Sequence, residues 1–195
     1  MTGAGGDNLV LALHRREDGA VERLVLQYQD RLYSFALRLL QNSFDAQEVT
    51  QDAFLRACKA LSSRYDVDKC LGLQLGPWLY RITRNLAYSR RKVLLARNEV
   101  PVPDNLDHGN GLPHRSAAAV RKLESEERGK ELRMALARLE PADRELVLLR
   151  FMEEMSYPEI ATIIGTGESA VRGKVFRALR KLRMTLEKRG EKNAL

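Results

Sequence analysis

Ser156-Tyr157-Pro158-Glu159, followed by an apolar run that stops at Gly165, leaves few local structures open to the chain around it. Ser156 can cap a helix by accepting from the Glu159 backbone N–H, and Pro158 at an early helical position gives up no needed donor. Ile160, Ala161, Ile163 and Ile164 supply the apolar side of a short helix. Gly165 can take the left-handed conformation that ends it. A second helix starts near Gly167 or Glu168, and on it Val171, Val175, Ala178, Leu182 and Leu186 fall in one stripe at about 100° per residue. Ser169, Gly173, Phe176, Arg177 and Arg180 lie opposite, flanked by Arg172, Lys174 and Lys181. The pattern is a helix-turn-helix with a basic outer face.

From Arg172 to Arg189 the cations are Arg172, Lys174, Arg177, Arg180, Lys181, Arg183, Lys188 and Arg189, against the lone anion Glu187. Cations near a helix C-terminus complement the macrodipole, which accounts for Arg183, Lys188 and Arg189 without any ligand. It does not account for Arg172 and Lys174, which sit in the first turns, where positive charge is disfavoured. A cationic face on the second helix of this motif is the footprint of DNA binding. Phe176 on the same side either meets a neighbouring helix or makes apolar contact with thymine methyls. A net charge of +7 over 195 residues agrees with a polyanionic partner, yet 26 acidic residues make that charge regional.

Earlier in the chain, Val21, Leu24, Val25, Tyr28, Leu32, Phe35, Ala36 and Leu39 step by threes and fours, predicting a long helix from Ala20 after a mobile Met1 to Asp7. Asn42 and Ser43 interrupt it. From Asp45 to about Leu61 a further helix buries Ala46, Val49, Ala53, Ala57 and Leu61, leaving Asp45, Glu48, Gln51 and Asp52 on its surface. Acidic residues at a helix start favour the dipole, which suffices for Asp45 and Glu48 but not for Gln51 and Asp52. An exposed acid and amide patch on a basic protein suits docking to another protein. Ser62 to Pro77 is a loop by composition. The helix after it has Leu79, Ile82, Leu86 and Val93 on one face, and Arg81, Arg84, Asn85, Tyr88 and Lys92 on the other, with Arg91 at the flank. Such a face is either a solvated basic surface or a nucleic-acid site. Cations attract phosphate, Asn bonds base edges and Tyr stacks on an unpaired base, which suits single-stranded or distorted DNA. Trp78 fits a core or loop-anchoring role better than direct base contact.

Residues 98–117, with Pro101, Pro103, Asp104, Asp107, Gly109, Gly111 and Pro113, read as a flexible linker. They divide an all-α chain into helical units at 1–97 and 118–195. In the second unit, helices carry Leu132, Ala135, Leu136 and Leu139, then Leu146, Val147, Leu149 and Phe151 on their buried sides. His14, His108 and His114 are scattered, and with Cys58 and Cys70 make no metal-ligand pattern. Gly167 to Lys174 lacks the spacing of a phosphate-binding loop, so catalysis is not expected. Two cysteines, no secretion signal and no membrane-length apolar run predict a cytoplasmic protein.

Three stretches taken together carry a family resemblance. Asp45-Ala46-Gln47-Glu48-Val49-Thr50-Gln51-Asp52-Ala53-Phe54 resembles the polymerase clamp-binding segment of an extracytoplasmic function (ECF, group IV) sigma factor of bacterial RNA polymerase. Trp78-Leu79-Tyr80-Arg81-Ile82-Thr83-Arg84-Asn85 resembles that family's reader of the promoter −10 element. Leu139-Glu140-Pro141 to Glu145, Met155 to Ala161 and Val171 to Ala178 resemble its −35 reader. The resemblance implies sigma region 2 at 1–97 and sigma region 4 at 118–195, with no cofactor and no metal. It implies that Asp45, Glu48, Gln51, Asp52 and Phe54 meet the β′ clamp helices of core RNA polymerase. Tyr65, Arg81, Arg84, Asn85 and Tyr88 would hold melted −10 bases. Ser169, Arg172, Gly173, Lys174, Phe176 and Arg177 would enter the −35 major groove of promoter DNA. An anti-sigma factor is implied as a further partner. The chain departs from the family in a longer, more apolar loop at Asp68 to Gly76, and in Gly167 and Gly173, where Ser or Pro and Ser are frequent. A helix-turn-helix regulator acting on duplex DNA without polymerase explains Ser156 to Leu186 equally well, but not the Arg81, Asn85 and Tyr88 face.

Overall fold

The computed structural model describes residues 6–96 and 129–193; the expected linker at 98–117 and the expected helix start near Ala118 lie outside these. Regular structure among the described residues is helical, with no strand. The first compact unit contains residues 6–96 and 155–168, and the second contains 129–154 and 169–193.

In the first unit α2 (Ala20–Leu40), α3 (Ser43–Ser63) and α5 (Leu75–Ala96) pack together. Leu24, Leu32, Phe35, Leu61, Leu79 and Tyr80 are fully buried there. Each such side chain contributes about 1.5–3 kcal/mol relative to exposure. Phe35 and Tyr80 meet edge-on with centroids 5.2 Å apart. The expected face of α2 holds from Leu24 onward, whereas Val21 is exposed and Val25 half-buried. Asn42 does more than interrupt. Its side chain accepts from the Asp45 backbone N–H at 2.9 Å, so α3 starts at Ser43. On α5 the inner face turns further than expected. Thr83, Ala87 and Leu94 join Leu79 and Leu86 inside, Val93 is exposed, and the Thr83 hydroxyl is satisfied by Leu79 O at 3.0 Å.

Two elements were not expected from the sequence. Gly6 and Asp7, assigned above to a mobile start, begin α1 (Gly6–His14), which buries Leu9, Val10, Ala12 and Leu13 and packs on α3 and on the short helix at Val67–Leu71. Its last residue places His14 Nδ1 2.9 Å from Leu61 O. Within the expected loop, α4 (Val67–Leu71) forms because Asp66 caps it, accepting from the Lys69 N–H at 2.8 Å, and because Cys70 is buried. That backbone bond, with the Lys69 ammonium 3.3 Å away, holds the Asp66 carboxyl below the usual carboxylate range.

The first unit also includes α8 (Tyr157–Ile164). Its capping box closes in both directions: Ser156 Oγ accepts from the Glu159 N–H, and the Glu159 carboxylate accepts from the Ser156 N–H at 2.8 Å. Ile160 and Ile163 are buried, and Gly165 ends the helix at φ 70°.

In the second unit, α6 covers residues 129–138 and α7 spans Pro141–Val147, continuing as a π-helical turn over Leu148–Met152. The extra residue in that turn rotates Phe151 outward to 51% exposure, against the expectation that it is inside; Leu132 is likewise exposed. Arg144 is buried and donates to Leu136 O at 2.9 Å and Leu139 O at 3.1 Å, and also to Ala137 O, closing the end of α6. Helix α9 (Glu168–Asn193) buries Val171, Val175, Ala178 and Leu182, with Leu186 half-buried. Lys181 Nζ pairs with Asp143 of α7.

Candidate nucleic-acid and docking interfaces

The outer face of α9 is built as the residue order predicts. Arg172, Lys174, Phe176, Arg177 and Arg180 are all exposed, as is Ser169, while Gly173 is half-buried. Phe176 stands 70% in solvent, so burial is not what retains it. Arg177 lies back along the helix with Nη1 3.5 Å from where a Gly173 Cβ would stand. The guanidinium therefore covers the bare backbone at Gly173. A positive, aromatic-centred face of this kind can engage phosphates and groove edges together.

On α5, Arg81 and Asn85 are exposed and Arg84 and Tyr88 half-buried. The Arg84 guanidinium lies 4.7 Å from the Tyr88 ring centroid, and its Nη1 donates to Asn85 Oδ1 at 3.3 Å. Arg84, Asn85 and Tyr88 are thus one contiguous cation–amide–aromatic cluster. Tyr65, ahead of α4, joins this helix at its start: Trp78 Nε1 donates to Tyr65 Oη at 3.1 Å, and the two rings are 5.6 Å apart. Trp78 is buried, consistent with an anchor for the loop.

The docking patch on α3 is different from the one expected. Glu48, Gln51 and Asp52 are exposed, but Asp45 is only 4% exposed and Phe54 is buried. Asp45 accepts from Arg90 Nε at 2.5 Å, and Glu48 lies 2.7 Å from Arg90 Nη2. The surface position assigned to Asp45 is therefore corrected. Its carboxylate is drawn inward by a cation from α5, a partner that no local pattern reveals. Phe54 contributes from below the surface: it lines a groove of about 770 Å³ between α2 and α3, with Val21, Val25, Tyr33, Gln51, Leu55 and Cys58. Leu55 is 69% exposed on the rim. Sequence reasoning missed Leu55, although an unburied leucine beside Gln51 and Asp52 was a usable signal. Burial pushes the Cys58 thiol up, which disfavours its thiolate.

Among the described residues no three His, Cys, Asp or Glu side chains gather in a metal-binding group. No described helix is long and apolar enough to cross a membrane.

Comparison with known proteins matches the same two regions. The family described as Sigma-70 region 2 matches residues 24–93, and that described as Sigma-70 region 4 matches residues 129–182. The chain is 29% identical over 177 residues to the RNA polymerase sigma-H factor of Pseudomonas aeruginosa, covering 87% of this chain and 88% of that protein. It is 30% identical over 175 residues to the ECF RNA polymerase sigma factor SigE of Mycolicibacterium smegmatis, covering 89% of this chain. In that alignment it spans 64% of the relative's length. Among solved structures, a chain of CnrH in complex with the cytosolic domain of CnrY is similar, with a TM-score of 0.65 at 25% identity. That match covers 94% of this chain and 97% of the other. Region 2 and region 4 in this order, on a chain aligned along most of its length with such relatives, make this protein a member of the sigma-70 family, in its extracytoplasmic function group.

Proposed function

We propose that this chain is a transcription initiation factor that binds core RNA polymerase and directs it to promoters by reading their −10 and −35 elements. The observation that carries the reading is the separation of two unlike surfaces within one small helical unit. The apolar α2–α3 groove, rimmed by Glu48, Gln51 and Asp52, suits the side of another protein's helix. The Arg84–Asn85–Tyr88 cluster with Arg81 on α5 suits unpaired DNA. A regulator of duplex DNA needs neither.

In function the chain divides at 1–97 (polymerase docking and −10 opening), 98–117 (tether) and 118–195 (−35 reading). The docking set is Glu48, Gln51 and Asp52, with Phe54 as the groove floor and Asp45 acting from inside through Arg90. The −10 set is Tyr65, Arg81, Arg84, Asn85 and Tyr88. The −35 set is Ser169, Arg172, Gly173, Lys174, Phe176 and Arg177. Polymerase holds two weak readers at a fixed spacing, so binding by one raises the effective concentration of the other. Strand opening costs unstacking energy, which aromatic and phosphate contacts to the displaced strand offset. The factor itself performs no chemistry and acts in the cytoplasm. CnrH is bound to the cytosolic domain of CnrY. By extension, the silencing partner here is an anti-sigma factor that covers these same surfaces.

The test is run-off transcription with purified core polymerase on genomic fragments. A transcript of defined length that requires this chain supports the reading. Absence of any such transcript from every fragment overturns it.

A further inference from the structure

Tyr65 is fixed at both ends. Its backbone N–H donates to Ala60 O at 3.1 Å, continuing the end of α3, and its hydroxyl oxygen accepts from Trp78 Nε1 at 3.1 Å. The segment that follows is equally constrained. Asp66 caps α4, Cys70 is buried, Gly72 N–H returns to Asp68 O at 3.2 Å, and α4 rests on α1. Trp78 cannot easily move, being 6% exposed within the first turn of α5. From Trp78, steps of three, four and three residues reach Arg81, Asn85 and Tyr88, so all four lie along one side of α5. The Tyr65 hydroxyl is therefore held at the head of the stripe that carries the −10 candidates.

A tyrosine hydroxyl has one proton to donate besides its acceptor lone pairs. Among the described residues the Trp78 N–H takes a lone pair, and the proton is given to no protein acceptor. We propose that Trp78 is a positioning residue that presets Tyr65, and that the Tyr65 O–H is offered to an acceptor atom on one unpaired −10 base. Tyr65 then sets specificity and Trp78 acts only through it. The inference rests on the −10 role given to this helix above and adds which atom reads the base and what aims it. It also gives the extended loop a purpose. The segment is a rigid bracket whose shape exists before DNA arrives, so little ordering entropy is lost on binding.

The experiment uses the full chain with core polymerase on promoters carrying each of the four bases at every −10 position, with rates of open-complex formation as readout. Tyr65→Phe keeps the ring and removes the donor. It is expected to flatten the preference at one position by roughly two- to tenfold, the range for one net hydrogen bond. Trp78→Phe keeps a buried aromatic and removes the N–H, and is expected to flatten the same position. The double variant should be no worse than Tyr65→Phe alone, because both remove one device. Polymerase affinity should not change in any of them. Wild-type base ratios in Tyr65→Phe overturn the proposal even if Trp78→Phe does not fold. An equal loss on all four bases assigns the hydroxyl to the sugar–phosphate backbone and also overturns it. Losses that multiply in the double variant remove Trp78 from the role. A wild-type chain that opens no promoter defeats the function itself, and is seen before any variant is compared.

Discussion

Arg90 Nε donates to the Asp45 carboxylate at 2.5 Å while its Nη2 lies 2.7 Å from Glu48, so one guanidinium fastens α3 to α5. The Asp45 side chain is 6% exposed and the Arg90 side chain 36%. The acid is thus largely out of water and its cation only partly so. Removing the cation leaves a buried carboxylate uncompensated, whereas an exposed pair could be lost at small cost. Arg90→Ala is expected to destabilise the first unit by about 2 kcal/mol, between those limits. Arg90→Lys should recover only part of this, since an ammonium cannot fork to both acids. Urea unfolding followed by the fluorescence of Trp78, the chain's only tryptophan, reports on this unit directly.

Arg144 has a comparable role in the second unit, where it donates to the carbonyls of Leu136, Ala137 and Leu139. Leu136 and Ala137 lie in the last turn of α6 and Leu139 just past it, and Leu136 O also accepts from the Leu139 N–H at 3.1 Å. Arg144→Met keeps the buried stem but takes this donor from Ala137 O and Leu139 O, while Leu136 O keeps the Leu139 N–H, at an expected cost of about 1–3 kcal/mol. Arg144→Lys should not rescue it. Far-UV circular dichroism during thermal unfolding would record the loss, and full stability in either variant would remove the capping role.

Two glycines should respond in opposite directions. Gly165 sits at φ 70°, so Gly165→Ala forces a left-handed alanine and costs about 1–2 kcal/mol. Gly173 lies within α9, and a Cβ there would meet Arg177 Nη1 at an ordinary 3.5 Å. Gly173→Ala is expected to stabilise α9 by about 0.5–1 kcal/mol. If promoter recognition uses the bare backbone at Gly173, −35 binding should fall in this variant despite its greater stability. Unfolding midpoints measured beside −35 duplex affinity separate the two effects.

Phe176 offers the clearest division between stability and function. At 70% exposure, Phe176→Ala should change stability by less than about 0.5 kcal/mol. It should nonetheless weaken transcription from −35-dependent promoters without loss of polymerase binding. Arg172→Ala and Arg177→Ala should do likewise, each lowering the slope of log affinity against log salt by about one. Salt titration of −35 duplex binding checks this.

Much of the architecture was legible in local pattern. The capping box at Ser156, the left-handed turn at Gly165 and the α9 stripe from Val171 to Leu182 depend on neighbours within a few residues. So does the outward placement of Arg172, Lys174, Phe176 and Arg177. What local pattern missed depended on distant partners. Asp45 looked like a surface acid because Arg90 comes from another helix. Arg144 caps carbonyls that belong to the preceding element, a role that its immediate neighbours do not announce. Two other misses had readable signals: the run from Leu9 to Leu13 marks α1, and Asp66 three residues ahead of Lys69 marks the start of α4. Phe151 followed a regular helical period that the π-helical turn breaks.

On the proposed function, this chain chooses a start site only when polymerase spaces its two readers. This dependence is tested most directly by measuring promoter binding and strand opening by the free chain and by the chain with core polymerase. Affinity and −10 thymine reactivity to permanganate would be followed on one cognate template and one scrambled template. The predicted result is weak, nearly sequence-independent binding and no opening by the free chain. With polymerase, binding should become selective and opening should be confined to −10, and both should be lost when Asp52→Lys abolishes association. Tight, selective duplex binding by the free chain that polymerase does not improve would rule out this dependence on polymerase.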